Sequence, residues 1–508
     1  MLFRHSILLI ILIMAFSPCF SQRIVYSEPD KDDTRRMNFD IAGKVGGNFL
    51  VYKNVRNDNW ISVLDNDMIE IAKSELDFMP DMDRMINVDF FPYNDFCYMI
   101  YQYQRKSIVY CKAAKLDSRG RLLGDVLELD TIKLGISSGN NKIYTALSSE
   151  DKSKLIVFKI NSKNKSRYVI SSLLMDDKLN TLKRSRLYME MDDRNDFLGE
   201  FNVDNEGDLV FTKFFRGNND NITRAAIVIK SAQADSFYYK DLNLEKTNLD
   251  EIRIKVDNTN KRYFVTSFFY KQKKGSIDGL YYYIYDKVNS QVLSENTYTF
   301  SEELRREAKG DANIKTAFND YFIKNIICRK DGGFIIGTEA YYTTSRFGNW
   351  NRWDYLYRYS YYSPVDYYSY SPYYNSWWGY NRWSNNQSVR HHADNIAVLS
   401  FDHEGKLEWS NVIVKEQFDD QADDVLSYIL MITGSQAHFL FNQQEKKMQL
   451  LNDYSITRDG KVNRNPTLKN LDKGYEFMPR YGKQVSLKQL IIPCVFRNYI
   501  CFAKIDYN

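Results

Sequence analysis

Long hydrophobic runs are nearly missing from this chain of 508 residues. The one clear run, residues 7–16, is about 10 residues long, whereas a membrane-spanning helix needs roughly 20. Arg4 precedes this run and the turn-forming stretch 17–21 follows it, which is the layout of a secretory signal peptide. We therefore predict a signal peptide over residues 1–21 and a mature domain over residues 22–508 that has no transmembrane segment.

Cys19 leaves an alternative open. Bacterial lipoproteins begin at a cysteine just after the apolar core, and that resemblance implies a lipid anchor at Cys19. A small residue normally precedes such a cysteine, but Pro18 stands there in this sequence. Cleavage after Ser21 is thus favoured. Both alternatives predict an exported protein that is periplasmic, associated with the outer membrane or extracellular.

An excess of charge of one sign is missing too. The 69 Lys and Arg residues nearly balance the 65 Asp and Glu residues, and the formal net charge is +4. Because both signs are scattered along the chain, we expect no nucleic-acid partner. The sequence also lacks a Gly-x-Ser-x-Gly elbow, a phosphate-binding loop, a His-Glu-x-x-His helix and zinc-type cysteine spacing. It therefore predicts no catalytic residue, no metal site and no cofactor.

Aromatic and β-branched residues are abundant, with 39 Tyr and 31 Phe, and they form short alternating runs typical of strands. A helical pattern is clearest between Ser301 and Ala308, where Ser301 can cap the helix and Gly310 can stop it. The strand-like runs form groups of roughly 45 to 50 residues, a period expected of propeller blades. Since such units bury their faces only by stacking, we predict an all-β fold: a single β-propeller of about eight blades, with seven as the fallback.

The turns and the chain ends support this prediction. Turns such as Asp204 to Gly207 and Asp402 to Gly405 place glycine where the backbone needs a positive φ between two strands. The mature N-terminus, residues 23–27, should pair with the last strands and close the ring. Cys494 and Cys501 should lie opposite each other across a hairpin, and their oxidation state is left open.

Residues 396–409 form a strand, an Asp-x-x-Gly turn and a second strand that ends in Trp409. In this pattern the chain resembles exported bacterial β-propeller repeat proteins, in particular secreted propellers of Bacteroidota. The resemblance implies the fold and carries no activity.

One Tyr- and Trp-rich stretch, residues 341–389, interrupts a hairpin of one blade. Loops of that length are uncommon unless they are functional or disordered. Tyr and Trp offer large amphipathic surfaces that suit stacking on sugars or peptides. We predict a recognition surface, with a self-packed lid or a disordered loop as alternatives. Its candidate binding residues are Trp350, Trp353, Tyr373, Tyr374, Trp377, Trp378, Tyr380 and Trp383.

Two polar clusters follow this insertion. His391, His392 and Asp394 could bind a metal. Adjacent strand residues point to opposite faces, however, so a polar strand entry is the favoured interpretation. The acidic stretch 419–424 could bind a hard cation, but it lacks the EF-hand glycine and is interpreted as a solvated loop.

The favoured hypothesis from these features is a non-enzymatic propeller that presents loops to bind a protein or a glycan in the cell envelope. The alternative is a carbohydrate-active enzyme, similar to glycoside hydrolases, on the same fold. A cluster of carboxylates with shifted pKa values at one mouth of the channel would favour the enzyme. Removal of the insertion should leave folding almost intact, because long surface loops cost little entropy.

Overall fold

The computed structural model describes residues 22–30, 37–55, 58–80, 84–133, 142–164, 166–191, 195–217, 221–244, 247–272, 275–345, 352, 356, 361–362, 389–420, 423–445, 448–468, 475–496 and 499–507. The predicted signal peptide and Cys19 lie outside these residues.

The first part of the chain forms four-stranded antiparallel meanders. Strand β1 (Arg23–Tyr26) comes first and belongs to the last sheet. The first sheet contains β2 (Met37–Val45), β3 (Asn48–Val55), β4 (Asp58–Leu64) and β5 (Glu70–Glu75). The second contains β6 (Arg84–Pro92), β7 (Phe96–Arg105), β8 (Ile108–Asp117) and β9 (Leu127–Lys133). The third contains β10 (Tyr144–Ser148), β11 (Lys154–Asn164), β12 (Arg167–Asp176) and β13 (Thr181–Glu190).

A ten-stranded sheet joins the next two meanders. One contains β14 (Asp196–Val203), β15 (Leu209–Arg216), β16 (Ile222–Lys230) and β17 (Tyr238–Asp241). The short β18 (Asn248–Leu249) links it to β19 (Arg253–Asp257), β20 (Arg262–Tyr270), β21 (Gly279–Asp286) and β22 (Gln291–Thr299). Helix α1 (Glu302–Lys309) and a 3-10 turn (Asp311–Thr316) follow.

Three further sheets complete the chain. The first has β23 (Tyr321–Cys328), β24 (Phe334–Ser345), β26 (Val389–Phe401), β27 (Leu407–Ile413) and the short β28 (Phe418–Asp419), while β25 (Tyr361–Tyr362) pairs instead with β14. The next has β29 (Tyr428–Ile432), β30 (Gln436–Glu445), β31 (Met448–Thr457) and β32 (Val462–Arg464). The last has β33 (Glu476–Phe477), a 3-10 turn (Pro479–Tyr481), β34 (Lys483–Ser486), β35 (Gln489–Phe496) and β36 (Tyr499–Asp506).

Each sheet is buried on both faces, so consecutive sheets stack. In β7, Met99 and Tyr101 pack in a core shared with the first sheet, while Ile100 packs in a core shared with the third sheet. This alternation follows from the two-residue period of a strand. The last sheet also packs against the first, because Phe49 of β3 and Phe502 of β36 lie in one cluster.

The predicted turns are confirmed. Gly207 and Gly405 have φ values of 92° and 84°, in the left-handed region that glycine adopts without a side-chain clash. Asp402 accepts hydrogen bonds from the N–H groups of Glu404 and Lys406 at 2.9 and 2.8 Å. The side chain thus fixes the turn from within, a bonding pattern typical of Asp in turns.

The predicted helix is confirmed as α1. Ser301 caps its beginning by accepting a hydrogen bond from the N–H of Leu304, and Gly310 ends it. Among the described residues, no helix is long and apolar enough to cross a membrane. The predicted all-β class with repeated four-stranded antiparallel sheets is confirmed as well.

The two strand pairings predicted at the chain ends are confirmed, and closure of a ring stays a prediction. Strand β1 pairs antiparallel with β36, with Ile24 opposite Ile505. Cys494 lies directly opposite Cys501 in the β35–β36 hairpin, and both thiols are buried and free. The two residues of the predicted turn, 497 and 498, lie outside the described residues.

Deletion of residues 22–28 should lower the melting temperature by several degrees. The deletion exposes the edge of β36 and removes Ser27, whose hydroxyl accepts a hydrogen bond from the N–H of Phe502 at 3.0 Å. Arg23→Ala is the matched control, because it keeps the ladder and changes only an exposed side chain. Thermal unfolding of the mature chain and both variants checks this, and an unchanged melting temperature for the deletion contradicts it.

Candidate acid–base site at the base of the insertion

The two ends of the aromatic insertion lie side by side on the sheet. Tyr341 lies near the end of β24 and His391 near the beginning of β26, and Tyr341 is opposite Ala393 in the register. The first strand of this sheet begins at Tyr321, opposite Ala340. Tyr341 and His391 therefore lie where the first strand begins, and we call this side of each sheet its entry edge.

Side chains from the entry edges of three sheets meet at this point. The Tyr341 hydroxyl lies 2.8 Å from Nδ1 of His391 and 3.3 Å from Oδ2 of Asp423. Asp423 precedes β29, and its carboxylate forms an ion pair with Arg480, which precedes β34. We call these four residues the acid–base cluster.

The electrostatics of the cluster keep the imidazole neutral and the carboxylate charged. Burial lowers the pKa of His391 and outweighs Asp423 and Asp419, which raise it, while Arg480 lowers it further. Burial alone would raise the pKa of Asp423, but the charge and hydrogen bond of Arg480 outweigh it and hold that pKa below its usual value. Near neutral pH the cluster thus combines a neutral imidazole with an ionised carboxylate.

This arrangement can orient His391 as a base. The Tyr341 hydroxyl has one proton, and when it donates that proton to Asp423 its oxygen accepts the Nδ1–H of His391. This tautomer leaves the lone pair on Nε2, to which no described residue donates a hydrogen bond. A neutral imidazole whose other nitrogen is oriented by a hydrogen bond is the usual form of a general base.

A buried ion pair supports the cluster from below. Lys415 lies 2.9 Å from Oε1 of Glu339, with both side chains fully buried. Lys415 also donates to the carbonyl oxygen of Ala393 at 2.6 Å, and the Ser427 hydroxyl donates to Glu339. Because Ala393 follows His391 by two residues and Ser427 follows Asp423 by four, this pair ties together the segments that carry the base and the carboxylate.

The start of the insertion is anchored at a neighbouring entry edge. Arg352 donates to Asp250 with Nε at 2.8 Å and lies 3.6 Å from Glu251, and both carboxylates are fully buried. Its guanidinium also stacks over Phe322, 3.9 Å from the ring centre. Leu356, four residues on, is 2% exposed in the largest core cluster. These contacts give the first part of the insertion a place in the folded core, and the dispensability of the insertion for folding stays a prediction.

The structure places the predicted site residues unevenly. The predicted aromatic residues Trp350, Trp353, Tyr373, Tyr374, Trp377, Trp378, Tyr380 and Trp383 all lie outside the described residues. His391 and His392 face opposite sides of β26, as predicted, since His392 stacks on Tyr342 at 4.4 Å. Asp394 accepts a hydrogen bond from the same Tyr342 at 3.1 Å.

The sequence analysis missed the role of His391 and Asp423. It interpreted both as parts of solvated polar segments, yet they meet at Tyr341 across two sheets. Asp420 does match that interpretation, because its carboxylate pairs with Arg390 on the surface. The available signal was position, since Tyr341 and His391 flank the insertion on both sides.

Comparison with known proteins gives structural matches only. No family model and no curated protein matches the chain. Among solved structures, a prolyl endopeptidase matches with 9% identity and a TM-score of 0.40 over 94% of this chain and 55% of its own. A PL25 ulvan lyase matches with 10% identity and a TM-score of 0.36 over 81% and 90%. The dihydro-heme d1 dehydrogenase NirN matches with 11% identity and a TM-score of 0.33 over 96% and 78%.

The chain spans about half the length of the prolyl endopeptidases that it matches. By their names these neighbours are a peptidase, a polysaccharide lyase and a dehydrogenase. The prediction of a non-enzymatic binding propeller is contradicted by these matches, which are enzymes by name.

Substitutions in the cluster should move the pKa of His391 in opposite directions. Asp423→Asn removes a negative charge that raises the His391 pKa, so that pKa should fall. Arg480→Gln removes a positive charge that lowers it, so that pKa should rise. Titration of the His391 ring resonances by NMR in the mature protein and both variants measures this. Shifts of the same sign in the two variants would rule out the described electrostatics.

Arg352→Met should destabilise the fold by about 3 to 5 kcal/mol, because it leaves the buried Asp250 carboxylate without its cation, whereas Glu251 keeps its ion pair with Arg253. Arg306→Met is the matched control, since Arg306 forms an exposed helix ion pair with Glu302, and such pairs contribute about 0.5 kcal/mol or less. Denaturant unfolding measures both free energies. Equal effects of the two substitutions would show that Arg352 is not an anchor.

Proposed function

We propose that the protein is an exported, carbohydrate-active enzyme built on a single eight-bladed β-propeller. In this proposal His391 is the general base, Tyr341 and the ionised Asp423 orient it and stabilise the imidazolium that forms, and the aromatic insertion holds the sugar chain. The observation that carries the proposal is the neutral, Tyr-oriented imidazole at the base of that insertion.

Three features support the single ring. Counting β14–β17 and β19–β22 separately gives eight meanders, in the same order as the chain. The core between the last and first sheets, with Ile491 and Phe502 on one side and Ile41 and Phe49 on the other, is of the same kind as the cores between consecutive sheets. Pairing of β1 with β36 removes the open edge of the last blade.

The acid–base cluster favours chemistry led by the imidazole. Hydrolysis by two carboxyl groups needs one protonated and one ionised carboxyl group on either side of the sugar bond. Here Arg480 keeps Asp423 ionised, so this carboxylate is unsuited to be the acid. His391 instead takes a proton from a bound water or from a substrate carbon. On the second route the electron pair of the broken C–H bond forms a C=C bond, the C–O linkage breaks, and the departing oxygen takes a proton from water. This route requires a carbon next to a carboxylate, as in a uronic acid.

The location proposal follows from the sequence. The predicted signal peptide over residues 1–21 and the resemblance to exported propellers of Bacteroidota favour a site in the periplasm, at the outer membrane or outside the cell. Polysaccharides are substrates that an exported enzyme meets there. The Tyr- and Trp-rich insertion, 341–389, provides stacking surfaces of the kind that bind sugar rings.

His391→Ala should lower the cleavage rate by about 100-fold or more, a typical contribution of a general base. The mature protein is incubated with a panel of neutral and uronic acid-containing polysaccharides, and new reducing ends and unsaturated products are measured. His392→Ala is the matched control, because this adjacent imidazole faces the opposite side of β26. The proposal fails if no polysaccharide is cleaved, or if both variants retain full activity and melt normally.

The pH dependence of that activity should show an acidic limb below the usual His pKa of about 6.5. The base works only while neutral, and burial lowers its pKa, so the rate should stay high as the pH falls to 6.5 and drop only below it. This is tested by measuring cleavage rates between pH 4 and 8 and by checking at each pH that the protein stays folded. An acidic limb well above 6.5 assigns the base to another group.

A further inference from the structure

A large cleft lies at the entry edge of the β14–β17 meander, away from the acid–base cluster. Its volume is about 1040 Å³. It begins at Asp196, the first residue of β14, and extends to Lys271, just beyond the end of β20. Ligand sites in proteins commonly have volumes of about 300 to 1,000 Å³, so this cleft can hold several sugar units.

Three cationic side chains line the cleft: Lys213, Arg224 and Lys271. Lys213 is engaged, because it lies 3.6 Å from the Asp196 carboxylate and donates to the carbonyl oxygen of Glu190 at 2.8 Å. Arg224 and Lys271 are exposed, and no carboxylate of the described residues lies within ion-pair distance of either. The cleft is also lined by the exposed carboxylate of Asp241, which forms no ion pair with either cation. It therefore presents two unpaired cations against one unpaired carboxylate, an excess of positive charge.

The walls of the cleft suit a polar ring. Phe215 provides an aromatic face, over which the Arg224 guanidinium is held at 4.6 Å from the ring centre. Tyr239 provides a second ring, and Thr223 and Asn248 provide hydroxyl and amide groups. Aromatic faces bind the apolar side of a sugar, while hydroxyl and amide groups bind its hydroxyls. Arginine binds carboxylate or sulfate groups with two parallel hydrogen bonds.

We propose that this cleft binds an anionic carbohydrate, with Arg224 and Lys271 recognising its carboxylate or sulfate groups. The proposal rests on the proposed function for the sugar character of the ligand, and it narrows the substrate to acidic polysaccharides. The proposal is carried by the charge complementarity between these two cations and an anionic ligand. Lys213 has a different role. Its ammonium group neutralises the Asp196 carboxylate, so that this carboxylate does not repel the ligand.

The test is binding of the mature protein to three probes: oligogalacturonate, which carries carboxylates, dextran sulfate, which carries sulfates, and neutral dextran. Isothermal titration calorimetry or affinity electrophoresis measures each affinity. Arg224→Ala with Lys271→Ala should weaken binding of the acidic probes by about tenfold or more, because hydrogen bonds to charged groups contribute that much. Neutral dextran should bind weakly to all forms. Of the two acidic probes, the tighter one identifies the group that the cleft recognises.

Lys178→Ala with Arg186→Ala is the matched control, since it removes the same charge from exposed positions on β12–β13, outside the cleft. If both double variants weaken binding of the acidic probes equally, the loss of affinity comes from the change in net charge alone, and the proposal is overturned. Unchanged affinity of the cleft variant, or equal affinity for neutral dextran, would also overturn it. His391→Ala should bind the acidic probes normally. Binding without cleavage by the unsubstituted protein would thus refute the proposed function and leave this inference standing.

Discussion

The whole structure depends on the burial of both faces of each four-stranded sheet. Alternate residues of a strand point in opposite directions, so a strand that is apolar at every position must find a partner on each side. Strand β3 shows this, because Leu50 and Tyr52 pack towards the second sheet while Phe49 and Val51 pack towards the last sheet. No single meander can satisfy this need, and the only solution is to stack consecutive sheets.

That constraint also sets where chemistry can occur. In a four-stranded meander the first and third strands begin at the entry edge, and the second and fourth strands end there. Each connection from one sheet to the next therefore lies at the entry edge. Asp423 and Arg480 occupy such connections, and Tyr341 and His391 occupy the matching strand ends. Stacking then brings residues from three sheets within hydrogen-bond distance, although Tyr341 and Arg480 are far apart in the chain.

The local features were predictable because they depend on few neighbouring residues. The Asp402 turn, the Ser301 cap and the opposition of Cys494 and Cys501 each follow from backbone chemistry within a short segment. The acid–base cluster was not predictable in this way. Alternation along β26 separated His391 from His392 correctly, but Asp423 and Arg480, which complete the cluster, lie in other sheets.

The buried charges explain why the site is held in place. A buried ion pair such as that of Arg352 with Asp250 contributes little net stability compared with well-packed apolar side chains, since desolvation offsets the attraction. Its effect is on position, because moving Arg352 away would leave a buried carboxylate without its cation, and such an unpaired buried charge is strongly disfavoured. Arg352 therefore fixes the insertion next to the first strand of the β19–β22 meander, after the segment leaves Tyr341. Tyr361 and Tyr362 then pair with Leu198 and Gly199 of β14, the strand whose first residue lines the cleft. Residues of one insertion thus contact both the buried carboxylate of Asp250 and the strand whose first residue lines the cleft.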